Sequence, residues 1–193
     1  MTDTCVNCGQ AAVCERTVPF DVERDGQRVT IQDRQTYCAA CGQVSYRGNQ
    51  ISEHERAVAA ATRQMLGLLT SDELQAIRKK YFLLQREMEE MLSIGPKTWV
   101  RWERGKVVQS KSVDKLIRSI AEDPALAQKL MHDACIDNPE AEAAFQRFHE
   151  QARSRAAEVM QSRLGHVAGA DYGAVAEDVI RAIHLSASGR RAA

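Results

Sequence analysis

The sequence predicts a mainly α fold with a small β unit at the N-terminus, a helix-turn-helix bundle in the middle and a helical extension at the end. Three observations predict it. Two CxxC pairs, Cys5-Val6-Asn7-Cys8 and Cys38-Ala39-Ala40-Cys41, flank a stretch in which apolar and polar residues alternate. Residues 83–105, LLQREMEEMLSIGPKTWVRWERG, place apolar side chains at intervals of three and four on either side of a sharp break. From Pro139 to about Leu164 the same spacing marks one face of a long helix.

Each CxxC pair can set two thiolates on one tight knuckle, and two knuckles brought together offer four sulfurs to a tetrahedral zinc ion. Gly9 and Gly42 each follow the second cysteine of a pair, where the knuckle backbone needs a positive φ. Four thiolates leave no open coordination position, so one structural Zn2+ held by Cys5, Cys8, Cys38 and Cys41 is expected and a catalytic zinc is not. Three other readings compete. A disulfide framework is disfavoured in a reducing compartment, a thioredoxin-like pair needs a βαβ setting, and iron–sulfur clusters are rarer at this paired spacing. Cys14 reads as a substitute ligand or a buried hydrophobe, and Cys135 as a core thiol. Between the knuckles Val18, Phe20 and Val22 alternate with polar residues, Asp25-Gly26 offers a type I′ turn, and Val29 and Ile31 resume the alternation. This is a hairpin. A unit of this size, residues 1–50, depends on its metal to fold.

Residues 51–69 read as a connecting helix, opened by a Ser52/Glu55 capping box and closed near Leu66 by Gly67. The bundle spans 70–132. Thr70-Ser71-Asp72 caps its first helix, in which Leu74, Ile77 and Tyr81 share a face and Arg78, Lys79 and Lys80 form a solvated one. The other reading of Arg78, Lys79 and Lys80 is as the first phosphate contacts. In the central motif Gly95 permits the abrupt turn and Pro96 suits the first position of the second helix. Trp99 and Trp102 read as core anchors, which leaves Lys97, Thr98 and Arg101 pointing outward. Gln85, at the start of the first motif helix, can donate to a phosphate or a base edge. Lys97 and Arg101, four apart, can enter one major groove, where Arg pairs with guanine and Lys meets guanine or phosphate, while Thr98 touches a thymine methyl. Arg104, Lys106 and Lys111 are placed for backbone oxygens. Val113, Leu116, Ile117 and Ile120 mark a further helix, and Asp123-Pro124 starts another.

The formal net charge is zero, yet residues 71–120 hold 11 Lys and Arg against 7 Asp and Glu, and residues 121–193 hold 8 against 11. The basic share falls on the motif, as a phosphate-facing surface requires. Residues 1–50 carry 5 Arg against 6 acids, and a zinc tetrathiolate adds two negative charges, so this unit is expected to serve a protein partner rather than nucleic acid. No apolar run approaches the length that spans a bilayer, and the N-terminus lacks a secretion signal, so no membrane association and a cytoplasmic location are expected.

Ile77-Arg78-Lys79-Lys80, Leu83, Gln85, Glu87 and Glu90, then Arg101, Glu103 and Gly105, together with the upstream CxxC pairs, resemble the MqsA family of bacterial antitoxins, also called YgiT-type zinc-finger proteins. The resemblance covers residues 1 to about 130; its Xre-type, lambda-repressor-like bundle alone is shared with many repressors. It implies a zinc domain that binds and neutralises an RNA-cleaving toxin, and a second domain that dimerises and represses the module's own operon. Carried over by position, the four cysteines become structural zinc ligands and Lys97 and Arg101 the base readers. The family's best-studied form has Asn at the position of Lys97, so the operator should differ, because Asn reads adenine and Lys favours guanine. Ser93 stands where a glycine is usual, a demand that Gly95 is expected to absorb.

The family's usual length is reached near residue 132. The extension, residues 133–193, is expected to form a helix with Ala141, Phe145, Phe148, Ala152, Ala156, Val159 and Met160 on one face, and a second helix from about Tyr172. No paired carboxylates or activated nucleophile are evident, so the chain is expected not to be an enzyme. The functional expectation is a homodimeric repressor on a palindromic operator in double-stranded DNA, acting as the antitoxin of a cognate toxin. The alternatives are a stand-alone regulator without a toxin, and a protein-binding adaptor.

Overall fold

The computed structural model describes residues 4–164. Strands β1 (Val13–Arg24), β2 (Gln27–Cys38) and β3 (Val44–Ser45) precede α1 (Gln50–Leu66), α2 (Ser71–Lys80), α3 (Gln85–Met91), α4 (Thr98–Glu103), α5 (Lys111–Glu122), α6 (Pro124–Asp133) and α7 (Pro139–Leu164). The fold is mainly helical with a small antiparallel N-terminal sheet. Two compact units, Met1–Ser119 and Ile120–Ala193, divide inside α5. The second helix expected from Tyr172 lies outside the described residues.

In the first unit, β1 and β2 pair without a break from Val13 opposite Cys38 to Arg24 opposite Gln27. Asp25 (φ 49°) and Gly26 (φ 78°) both take positive φ, as a two-residue type I′ turn demands. The register therefore returns Cys38 to the level of Val13, beside the first knuckle. β3 adds two pairs on the other edge of β2, giving the order β1-β2-β3.

α1 docks on this sheet through polar side chains. The Arg34 guanidinium donates to both Glu53 oxygens at 2.9 and 3.0 Å and to Asn49 Oδ1 at 2.9 Å. Fully buried Gln50 accepts from Thr36 Oγ1 at 2.9 Å and from the Arg47 N–H at 2.8 Å. These bonds, and not the expected Ser52/Glu55 capping box, set where the helix begins: its N-cap is Asn49. A capping box does open α2, where Thr70 Oγ1 accepts from the Glu73 N–H and Glu73 accepts from the Thr70 N–H.

Among the described residues, five helices end on a left-handed residue that lets the next N–H reach back five positions: Gly67 after α1, Phe82 after α2, Ser93 after α3, Gly105 after α4 and Cys135 after α6. Only two of these are glycine. Gly95 does not take the positive φ expected of it, because the left-handed position falls just past the C-cap Leu92, where the chain carries Ser93 at φ 50°. Cys135 is exposed, not a core thiol, since it closes α6 at φ 54°.

Leu74, Tyr81, Leu83, Met88, Trp99 and Ile117 are buried almost completely. Among them lies a polar hub. Glu103, its side chain 3% exposed, accepts from Arg78 Nε at 2.6 Å and Nη2 at 3.1 Å, Gln85 Nε2 at 2.6 Å and Trp99 Nε1 at 2.6 Å. Arg78 is thus an internal tie, not part of a solvated face. Asp114 is a second hub, accepting from the Leu69 N–H, Gln109 and Arg118 at 2.8–2.9 Å. Burial alone would raise both carboxyls, but their hydrogen-bond donors outweigh it and hold Glu103 and Asp114 below the usual carboxylate range.

In the second unit, Asp123 caps α6, with Pro124 at its first position, by accepting from the Ala125 and Leu126 N–H groups. α6 and α7 are joined by a chain of side chains, His132 to Glu142, Glu142 to Gln128 and Gln128 to His149. Ala127, Met131, Ala141, Ala144 and Phe145 are buried.

Three outcomes are expected from urea unfolding. Ser93→Gly removes the strain of a left-handed non-glycine residue and raises stability by about 0.5–1 kcal/mol. Glu103→Ala leaves the half-buried Arg78 guanidinium with its bond to Leu83 O but no counter-charge, and lowers stability by about 3 kcal/mol. Because the folded-state pKa values of Glu103 and Asp114 lie below their unfolded values, the stability they contribute is complete above pH about 5 and is lost as pH falls through the folded values. A Glu103→Gln chain should show a shallower acid decline.

Candidate metal centre and nucleic-acid interface

The metal centre is built by two turns with the same backbone. In the first, the Cys5 N–H donates to Gln10 O and the Gly9 N–H to Cys5 O, both at 2.9 Å. In the second, the Cys38 N–H donates to Gln43 O and the Gly42 N–H to Cys38 O, also at 2.9 Å. Gly9 and Gly42 take φ 71° and 75°, so each turn is closed by the residue type that this conformation favours. The long hairpin between them brings the knuckles together. Cys5 Sγ lies 3.6 Å from Cys41 Sγ, Cys8 Sγ lies 3.7 Å from Cys38 Sγ, and all four sulfurs fall within 4.8 Å of one another.

A tetrahedral ion with Zn–S bonds of about 2.3 Å spaces its sulfurs at about 3.8 Å, so the Cys5–Cys41 and Cys8–Cys38 separations match such an ion and the four thiols can close on it with small shifts. The electrostatics agree. The Cys8 and Asn7 backbone N–H groups pull the Cys5 thiol down to about 6. The Gln10 N–H acts in the same sense on Cys8, but burial and the crowding of Cys41, Cys38 and Cys5 push that thiol up to about 12. Four sulfurs this close cannot all ionise unaided, and a divalent cation supplies the missing charge. Cys14, exposed on β1 opposite Tyr37, stands outside the cluster.

The second set of expected site residues surrounds α4. Trp99 and Trp102 are buried, 0% and 5% exposed, with ring centroids 5.8 Å apart, as their spacing predicts. Lys97 is not inside the helix but at its N-cap, in the left-handed region at φ 62°, with Pro96 in the turn before it. Its carbonyl still accepts from the Arg101 N–H at 3.1 Å, so the two side chains are one turn apart. Lys97 and Arg101 are exposed, Thr98 is half-buried, and Arg104 is the exposed C-cap. Among the described residues no hydrogen bond or ion pair engages the side chains of Lys97, Arg101 or Arg104. Lys106 lies 3.9 Å from Glu55 of α1, and Lys111 Nζ lies 2.9 Å from Asp25 at the hairpin tip. Gln85 is half-buried and commits an amide hydrogen to Glu103.

Three groups that pattern reading placed on no site hold α4 in position. Glu89, 8% exposed on α3, accepts from the Lys97 N–H at 3.0 Å and the Trp99 N–H at 2.9 Å. Arg63, 4% exposed on α1, donates to Trp102 O at 3.1 Å and Val107 O at 2.7 Å, and burial pulls its guanidinium below its ordinary range. Ser71 Oγ donates to Trp102 O at 3.0 Å. A Glu within an apolar stripe and an Arg inside an alanine-rich helix were the only signals in the sequence.

Metal removal tests the first half of the site. A purified chain is expected to carry one equivalent of zinc by elemental analysis. A strong chelator should release it with loss of the β signal in circular dichroism, and mild acid should do the same by protonating the thiolates. Cys38→Ala, which removes a fully buried cysteine of the cluster, should abolish retention.

No helix among the described residues is long and apolar enough to cross a membrane. A comparison with curated proteins returned no significant match. Residues 3–131, which include both knuckles and helices α1 to α5, match the family described as the antitoxin component of bacterial toxin-antitoxin systems, MqsA. Such a family points to a regulator rather than an enzyme and implies a toxin as partner. With a zinc-compatible four-cysteine unit leading a helical bundle, and a family match over well more than half its length, this chain belongs to the MqsA family of antitoxins.

Proposed function

We propose that the chain is a sequence-specific repressor that reads a palindromic operator in double-stranded DNA as a homodimer, and that it neutralises an mRNA-cleaving toxin while repressing its own operon in the cytoplasm. One observation carries the DNA-reading part: α4 is seated by buried hydrogen bonds at both ends and along its inner face, while Lys97, Arg101 and Arg104 project from it without a side-chain partner among the described residues. A rigid short helix with uncommitted cations is what a major groove accepts.

Within this reading Arg101 meets guanine bidentately, Lys97 meets guanine or phosphate, and Thr98 touches a thymine methyl. Arg104, Lys106 and Gln85 lie along the backbone, where they fix register without reading sequence. Two copies set their α4 helices about one helical turn of DNA apart. The zinc held by Cys5, Cys8, Cys38 and Cys41 keeps the front unit folded as the docking platform for the toxin. The acidic balance of that unit suits a basic ribonuclease.

Binding to the native upstream region, measured by anisotropy over a series of salt concentrations, tests this. Arg101→Ala is expected to lose roughly 1–3 kcal/mol on the operator and to relax base choice at one position. Arg104→Ala should weaken operator and random duplex alike and reduce the salt slope by about one. Lys97→Asn should shift preference at its base pair from guanine toward adenine. Equal loss on operator and random DNA for Arg101→Ala would remove its reading role. A folded dimer with no operator preference would leave the protein-adaptor reading.

A further inference from the structure

α4 has six residues, too few to hold a helix by its own backbone bonds. Beside the Glu103 hub and the Ser71 hydroxyl on Trp102 O, it is held by a pair of buried, oppositely charged side chains, one at each end. At the N-terminus the two Glu89 oxygens divide the work, Oε2 taking the Lys97 N–H and Oε1 the Trp99 N–H. At the C-terminus Arg63 Nη2 is shared between Trp102 O and Val107 O. Among the described residues no carboxylate pairs with Arg63, so its charge is directed at backbone carbonyls. Anion at the N-terminus and cation at the C-terminus is the arrangement that the helix dipole favours.

The geometry points to Glu89 and Arg63 as positioning residues for base reading, an inference that rests on the DNA-reading role proposed above. Lys97 is the residue most affected. A lysine held at φ 62° is strained, and the Glu89 carboxylate on its N–H keeps it there. Release of that bond lets the backbone return to negative φ, which swings the Lys97 side chain away from the face it shares with Arg101. Glu89 thus acts on DNA through Lys97 without touching it. Arg63 brings α1 into the same assembly: the helix that grips the zinc unit through Asn49, Gln50 and Glu53 also fastens the end of α4.

The test uses the full zinc-loaded chain and the duplex it selects from a randomised library. Base preference at each position, salt slope, thermal melting and amide exchange are compared for wild type, Glu89→Ala, Glu89→Gln, Lys97→Ala, Arg63→Met and the Glu89→Ala/Lys97→Ala double variant. Glu89→Ala should lose roughly tenfold of its preference at the same base pair that Lys97→Ala loses, with the salt slope unchanged. The double variant should lose no more than Lys97→Ala alone. Amide exchange at Lys97 and Trp99 should rise at least about tenfold. Arg63→Met should lower preference at the base pairs of both Lys97 and Arg101. Glu89→Gln, which keeps one acceptor oxygen, should fall between wild type and Glu89→Ala, and it carries the comparison if the alanine variant does not fold. An unchanged base profile in the Glu89 variants beside an altered one in Lys97→Ala overturns the inference, as does a loss spread evenly over all sequences. If the wild type selects no sequence, the DNA-reading role falls and this one with it, while faster exchange in Glu89→Ala would still mark the clamp as real.

Discussion

The Glu103 carboxylate is the point on which the bundle turns. Nearly sealed from solvent, it gathers Arg78 from α2, Gln85 from α3 and the indole of Trp99 from within α4, so that one side chain joins three helices. An isolated carboxylate in such a place would be costly; four donors make it the better-solvated alternative to water. The arrangement leaves α4 without freedom to roll, because the residue that accepts these bonds belongs to α4 itself. Apolar packing of Leu74, Met88 and Trp99 supplies the bulk of the driving force, and the polar hub selects one way of packing.

The N-terminal unit rests on another kind of constraint. Its sheet leaves Phe20, Val44 and Tyr46 partly exposed and buries few large side chains, so its stability has to come from the four-sulfur site and from the polar seam with α1. That seam is continuous: Arg34 and Thr36 of β2 meet Glu53 and Gln50, and next along the helix His54 meets buried Asp33, which also accepts from the Tyr46 hydroxyl before α1. α1 is therefore bonded to the sheet at one end and, through Arg63, to α4 at the other.

Much of this was legible from residue order because it is local. The two knuckles and their glycines, the Asp25-Gly26 turn, the Thr70 cap, the Asp123-Pro124 start and the inward-facing tryptophans all follow from neighbours within a few positions. The misreadings share a cause. Pattern reading assigns charges to solvent, as it does Arg78, and gives Glu89, Arg63 and Glu103 no structural part; only the meeting of separate helices shows the hydrogen bonds that each makes inside the bundle. The left-handed turn of Lys97 and the start of α1 at Gln50 are likewise set by groups far along the chain, Glu89 in one case and Thr36 in the other. Ser93 in place of Gly95 shows that where the chain bends is fixed by where α3 ends, not by where a glycine is available.

Both tryptophans of the sequence sit in α4, packed against each other and with one indole N–H on the Glu103 carboxylate. Excitation that selects indole therefore illuminates this one helix and nothing else in the chain. The emission maximum and quenching of the native protein become a direct optical record of whether α4 is seated, so that events within the first unit can be followed in real time without a label.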